Sequence, residues 1–163
     1  MVEEAATDVI ATAQAQGTAQ PWTDPSFLDA VARLQRNREI RTSCEGSHQG
    51  SYKGSYQADE VEFHDRCVVC TAALATYLGY SVSPFLAGEL ERVKKEAVFQ
   101  RRVFFVRNLG FVTPTEARRI SYEDTLRFEK IHEKTYRGLG FDLIFVERGS
   151  LAERVSFIKT EIR

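Results

Sequence analysis

The sequence predicts an α/β fold in which helices cover a parallel β-sheet. Three short apolar segments, residues 61–65, 102–107 and 142–146, alternate with longer segments of helical periodicity. Each connection is long enough for the crossover that joins two parallel strands. Doubly wound sheets ordinarily contain about five strands or more, so three strands under about six helices predict an incomplete sheet.

The chain is predicted to begin with two helices and a loop. Apolar residues recur at helical spacing over residues 3–16. Asp24 precedes Pro25, an order that favours a capped helix start, and this second helix is expected to run to about Arg41. Residues 44–58 repeat Gly-Ser without an apolar face. They predict a flexible surface loop, with a functional flap over a site as the alternative.

The remaining elements alternate in the order expected of βαβ units. A helix that follows residues 61–65 is predicted to end near Gly79, because glycine is common after the last turn of a helix. Ser150 and Glu153 have the spacing of a capping box and mark the start of the last helix. The other two predicted helices span about residues 84–98 and 122–137.

The composition narrows the class of protein. With 22 basic and 23 acidic residues and a net charge of −1, the chain offers no electrostatic reason for nucleic acid or an acidic membrane as its main partner. No apolar run approaches the roughly 20 residues that span a bilayer. The first residues lack the features of a secretory signal, and three cysteines, an odd number, favour free thiols in a reducing compartment. We therefore expect a single cytoplasmic domain over residues 1–163.

Charged side chains follow the predicted strands, at the edge of the sheet where α/β proteins bind ligands. Asp65-Arg66 follows the first strand and Glu147-Arg148-Gly149 the third, while Arg118 and Arg119 lie in the loop after the second. A carboxylate with several guanidinium groups is what a magnesium–phosphate site requires. The alternative is that these residues only cap helices and solvate loops.

Cys67 and Cys70 form a C-x-x-C motif. A zinc site would need two more ligands, and Cys44, His48 and His132 do not have the spacing of a zinc knuckle. A redox pair would lie at the start of a helix after a strand, and this requirement is roughly met. The apolar helical neighbours nevertheless favour packing in the core, and His132 receives no role.

Five segments carry a resemblance that covers nearly all of the chain outside the Gly-Ser loop. In chain order they are VEEAATDVI, PWTDPSF, FHDRCVVCTAALATYLG, RRVFFVRNLGF and, most specifically, residues 116–158. In that order they resemble the AAA-type P-loop ATPases related to the kinase domain of the nicotinamide riboside kinase NadR. The resemblance implies a three-layer parallel sheet with helices on both faces, ATP and Mg²⁺ as cofactors, and a small-molecule phosphoryl acceptor.

The resemblance also implies roles for individual residues. Glu4 would face the substrate or a metal-bound water, and Asp65 would act as a base or orient the metal. Arg118 and Arg119 would close over the phosphates from a lid-like segment, residues 108–120. The residues that would contact the nucleotide are Arg66, next to Asp65, and Glu147, Arg148 and Gly149, in the loop that borders the adenine.

The chain departs from this family pattern at the phosphate-binding loop. No G-x-x-x-x-G-K-[ST] motif occurs in the sequence, and Met1-Val2 matches only the tail of the family's second strand. With the family's strand order, 2-3-1-4-5, the absent first strand would lie between residues 61–65 and 102–107. We therefore expect an inactive partial domain that aggregates, pairs these two segments directly, or forms a homodimer through unpaired strand edges. The alternative is a non-catalytic binding or regulatory protein on a degenerate P-loop scaffold.

Overall fold

The computed structural model describes residues 1–45, 61–111 and 120–162. Within them the chain folds into six α-helices and a two-stranded parallel sheet, an α/β arrangement. No described helix has both the length and the apolar composition needed to cross a bilayer. The elements in chain order are α1 (Ala6–Ala15), a 3₁₀ turn (Pro21–Thr23), α2 (Ser26–Glu45), α3 (Val68–Leu78), α4 (Pro84–Lys95), β1 (Arg102–Val106), α5 (Tyr122–Gly138), β2 (Asp142–Val146) and α6 (Leu151–Glu161).

The sheet joins β1 to β2, with α5 in the connection between them. The strands are parallel, and their register places Arg102 opposite Asp142 and Val106 opposite Val146. The Arg107 N–H extends the ladder by donating to the Val146 carbonyl over 3.0 Å. This pairing confirms the parallel arrangement predicted for the second and third apolar segments.

The first predicted strand, residues 61–65, is not a strand in the structure. Only His64 takes part in β pairing, through an isolated parallel bridge to Val2. Direct pairing with residues 102–107, one of the three expected outcomes, is not found in the described backbone, because β1 pairs with β2 alone. The alternating apolar residues predicted an extended segment. A β-strand also needs a neighbouring segment that pairs with it over several residues, and here only one residue, Val2, pairs with it.

Several predicted boundaries shift. Helix α1 begins at Ala6 and not at residue 3, so Glu3 and Glu4 precede it. Helix α2 continues past Arg41 to Glu45, into the predicted Gly-Ser loop. The rest of that loop lies outside the described residues, as do residues 112–119 of the lid-like segment.

Helix α3 lies at the centre of the helical layer. Helices α2, α4 and α5 all pack against it. Close packing of several helices requires small side chains at the contacts, and α3 carries them. Gly79 ends it in the left-handed conformation, at φ 76°, which glycine adopts without steric cost and which confirms the predicted stop. Its buried residues are Val68, Val69, Thr71, Ala72, Ala73 and Ala75.

Helix α4 docks on this centre through Leu86, which is fully buried against Ala32 of α2 and Val68 of α3. Glu89, on the same helix, is only 3% exposed. Arg36 and Arg92 both pair with its carboxylate, so that a charge inside the helical layer is compensated on two sides.

Replacing Leu86 with alanine should remove about 2–5 kcal/mol from the free energy of unfolding, because the cavity left in a fully buried position cannot collapse completely. Leu151→Ala is the matched control. Its side chain is 70% exposed, so its effect should stay within about 0.5 kcal/mol. Urea denaturation followed by circular dichroism measures both, and equal losses in the two variants would contradict the assigned core.

Candidate functional site

The β bridge near the N-terminus brings two distant segments together. Val2 donates its N–H to the Phe63 carbonyl over 2.7 Å, and Asp65 donates its N–H to the Val2 carbonyl over 2.8 Å. Glu4, two residues after the bridge, therefore lies beside Arg66. The structure thus places three of the predicted site residues, Glu4, Asp65 and Arg66, at one location.

Glu4 is held in place by its neighbours. Its carboxylate pairs with the Arg66 guanidinium at 3.0 Å and accepts a hydrogen bond of 2.9 Å from the Thr7 hydroxyl. Arg38 donates to the Glu4 backbone carbonyl over 2.6 Å. Arg66 itself has φ of 68°, in the left-handed region that residues other than glycine rarely adopt. The Glu4–Arg66 pair is therefore supported by contacts to α1 and α2.

Asp65 is exposed, and its carboxylate makes no hydrogen bond or ion pair with the described residues. It is therefore the group at this location that is available to a ligand. Among the described residues no group of three or more His, Cys, Asp or Glu side chains could hold a metal ion. A metal at Asp65 would accordingly take most of its ligands from the nucleotide or water, as Mg²⁺ often does.

A second cluster lies where β1 and β2 end. Arg107 donates to Glu129 of α5 over 2.8 Å, and its guanidinium lies over the Phe145 ring at 4.1 Å. The hydrogen bond to Glu129 is the largest cause of the raised pKa of Arg107. Arg148 donates its Nε–H to the Asn108 carbonyl over 2.7 Å and ties the two loops together. Both guanidinium groups are thus engaged within the protein.

The loop after β2 borders a groove of about 280 Å³. Two aromatic rings, Phe145 and Phe157, contribute to its wall, and Phe157 is 39% exposed. Arg154 also lines the groove, and its Nε is buried without a hydrogen-bond partner among the described residues. Aromatic rings together with polar lining residues suit a planar heterocycle. The other lining residues are Val146, Glu147, Arg148, Gly149 and Glu153.

The N-terminus of α6, beside this groove, is closed by its own capping box. Ser150 Oγ accepts from the Glu153 N–H over 3.3 Å, and the Glu153 carboxylate accepts from the Ser150 N–H over 2.7 Å. The Ser150 hydroxyl also donates to the Glu153 carboxylate over 2.7 Å. This hydrogen bond contributes most to the lowered pKa of Glu153, and the bond from the Ser150 N–H contributes next. A carboxylate thus occupies the position where a phosphate would otherwise bind a helix N-terminus.

Two residues of α5 that the sequence left unassigned lie against the C-x-x-C motif. The Tyr136 hydroxyl is 3.1 Å from Cys70 Sγ and 3.4 Å from Cys67 Sγ. His132, one turn earlier, lies close enough to Cys70 to lower the pKa of its thiol. The four-residue spacing of His132 and Tyr136 predicts a shared helix face, but only the packing of α5 on α3 shows what that face meets.

The predicted site residues thus form two groups. Glu4, Asp65 and Arg66 lie together near the bridge, and Glu147, Arg148 and Gly149 lie together along the groove. Gly149 approaches α6 closely, since a Cβ there would lie 3.1 Å from a Glu153 carboxylate oxygen. Arg118 and Arg119, the predicted lid residues, lie outside the described residues.

Comparison with known proteins identifies the family. The profile of the family described as AAA domain matches residues 1–154, which is nearly the whole chain. Neither the curated proteins nor the solved structures contain a match.

The capping box beside the groove should appear in the titration of Glu153. We expect its pKa to lie below the ordinary 4.5, and Ser150→Ala to return it towards that value. Because the pKa is lowered by folding, the contribution of the cap is present above the unfolded pKa and is lost as pH falls through the folded one. Carboxyl ¹³C NMR measures both titrations. Ser156→Ala, on the same helix, should leave Glu153 unchanged, and a wild-type value at or above 4.5 would contradict the cap.

Proposed function

Because the chain belongs to the AAA domain family, a P-loop-type nucleotide-binding class, we propose that it takes part in binding ATP through the groove that borders β2 and α6. The family match over residues 1–154 carries this proposal. The groove supports it, since two aromatic rings and several polar residues line a space suited to a planar base. The proposal includes the more specific relation to the NadR kinase domain and a small hydroxyl-bearing phosphoryl acceptor.

The described residues fit the base of the nucleotide better than its phosphates. Phosphates are ordinarily held by consecutive backbone N–H groups at a helix N-terminus and by a lysine. Beside the groove, that position at α6 is filled by the Glu153 carboxylate, and the sequence contains no G-x-x-x-x-G-K-[ST] motif. The described residues therefore include groups that could flank a nucleotide but no phosphate-binding loop. For this reason we expect the chain to be inactive by itself.

The residues near the bridge are proposed to serve the acceptor side. Asp65 is exposed and unpaired among the described residues, so its carboxylate can accept a hydrogen bond from an acceptor hydroxyl or orient Mg²⁺. Glu4 is paired with Arg66, and its proposed role is to fix the Arg66 guanidinium beside Asp65. Arg118 and Arg119 remain proposed lid residues that would compensate phosphate charge.

Titration of the ¹⁵N-labelled chain with ATP and Mg²⁺ tests the groove. We expect amide shifts around residues 145–149 and the first turns of α6, with a Kd of about 1 mM or weaker because the phosphates lack a cradle. Phe157→Ala should weaken binding about fivefold or more through loss of base stacking.

The matched control is Val155→Ala, which changes an exposed side chain of the same helix that does not line the groove. Micromolar binding would contradict the missing cradle, and shifts confined to another surface would contradict the groove. A chain that shows no nucleotide-dependent shift would favour the non-catalytic binding or regulatory function.

We also propose that the chain forms a homodimer through the free edge of β1. Within the described residues β1 has β2 as its only strand partner, and Val106 at its end is 51% exposed. Phe63, 37% exposed, contributes apolar surface near this edge, with its ring centroid 6.4 Å from that of Phe104. An unpaired edge flanked by apolar side chains favours pairing with another strand.

Val106→Lys should therefore shift the chain from dimer towards monomer, because a lysine on an edge strand opposes pairing with a second edge. Sedimentation equilibrium over a concentration series measures the shift. Leu151→Lys, a lysine at another exposed apolar position, should leave the association unchanged. A wild-type chain that stays monomeric at every concentration would contradict the dimer.

A further inference from the structure

The start of α3 brings two thiols into disulfide range. Cys67 is the residue before the helix, and the Cys70 N–H donates to the Cys67 carbonyl over 2.8 Å. A backbone hydrogen bond between residues three apart closes a turn in which their Cα atoms lie within about 7 Å. Disulfides span Cα distances of about 4.4–6.8 Å, so the turn brings the two residues into about the separation that a disulfide needs.

Tyr136 shows that both sulfur atoms face the same interface. Its hydroxyl lies 3.1 Å from Cys70 Sγ and 3.4 Å from Cys67 Sγ, although it carries a single hydrogen and can donate to only one sulfur at a time. Cys67 is buried, whereas Cys70 is partly exposed. Cys70 is therefore the more accessible residue of the pair for a small oxidant.

His132 supplies a base next to Cys70. Its Nδ1 lies 3.0 Å from the Phe128 carbonyl, which can only accept, so Nδ1 carries the hydrogen. In the neutral ring Nε2 then has a lone pair, and this atom is buried without a hydrogen-bond partner of ordinary geometry among the described residues. Transfer of the Cys70 proton to Nε2 would turn this unpaired acceptor into a cation beside a thiolate.

The groups that face Cys70 favour its thiolate. Its pKa lies well below the ordinary value because of a hydrogen bond from Cys67 above all, and then because of His132 and the positive charge of Arg66, while burial acts in the opposite direction. Tyr136 is the remaining titratable group in contact. Two cysteines that only packed in the core would need none of these polar neighbours. The polar neighbours therefore favour a chemical role over the core packing that the sequence favoured.

The structure assigns Cys67 and Cys70 as a peroxide-reactive dithiol, in which Cys70 is the nucleophile and Cys67 closes a reversible disulfide. The Cys70 thiolate attacks one peroxide oxygen, the O–O bond breaks, and the departing hydroxide takes up a proton to give water. Cys70 is then a sulfenic acid. The Cys67 thiol attacks its sulfur, the S–O bond breaks, and a second water leaves with the Cys67 proton. Two thiols thus lose two electrons and two protons, and hydrogen peroxide is reduced to two waters.

The disulfide would form next to the loop of Asp65 and Arg66, which directly precedes Cys67 in the chain. Oxidation also removes the thiolate, whose charge acts on the Arg66 guanidinium. This modification site is independent of nucleotide binding, so its test requires no ATP.

The experiment uses the full chain with Cys44→Ser, so that only the pair remains. Hydrogen peroxide is added to the native protein, and intact mass and peptide mapping follow the loss of two hydrogens and a Cys67–Cys70 linked peptide. We expect the disulfide to form and a dithiol reductant to reverse it. With Cys67→Ser, dimedone should trap a sulfenic acid at Cys70, whereas with Cys70→Ser, Cys67 should stay reduced.

His132→Gln tests the base. By raising the pKa of Cys70 it should slow oxidation at pH values below that raised pKa, where the thiolate fraction falls up to about tenfold per unit, and should have little effect at higher pH. Lys130→Gln, at an exposed position of the same helix, should leave the rate unchanged. Two thiols that stay reduced in the native Cys44→Ser chain at a peroxide concentration that oxidises a cysteine peptide would overturn the proposal. Irreversible over-oxidation of Cys70 without a disulfide would overturn it as well.

Discussion

The structure depends on the burial of α3. Its residues have to be small, because α2, α4 and α5 all pack on one helix of eleven residues. Alanine and valine at the contacts allow this, and Leu86 fills the space where α4 meets the cluster. Both the loop of Asp65 and Arg66 and the thiols of the first turn take their positions from this helix. A change in the packing of α3 would therefore also move the loop of Asp65 and Arg66 and the two thiols.

Local signals predicted the elements that depend on local interactions. The Asp24 side chain accepts from the Ser26 N–H, Gly79 ends α3, and Ser150 with Glu153 starts α6, each as the sequence predicted. These signals act within a few residues of the chain. Strand pairing has no such local origin, and for this reason residues 61–65 were predicted as a strand and proved to contribute a single bridge at His64.

The site shows the same division. Parallel topology predicts that residues following the strands lie together at one edge of the sheet. The structure instead places them in two groups, Glu4 with Arg66 near the bridge and Glu147 to Gly149 along a groove. The sequence did not indicate which side chains would remain available. Arg107 follows β1 as a phosphate-binding residue would, yet Glu129 of α5 holds it. Likewise the meeting of His132 with Cys70 depends on how α5 packs on α3, which no pattern within either helix encodes.

The left-handed backbone of Arg66 has a consequence for natural variation at this position. A residue other than glycine in that conformation lowers the free energy of unfolding by about 1–3 kcal/mol. Mutation under selection for stability alone would therefore tend to replace it with glycine or asparagine in homologous sequences. An arginine retained across diverged homologues would record selection for its positive charge between Glu4 and Cys70, and a shift to glycine would mark lineages in which that charge had lost its use.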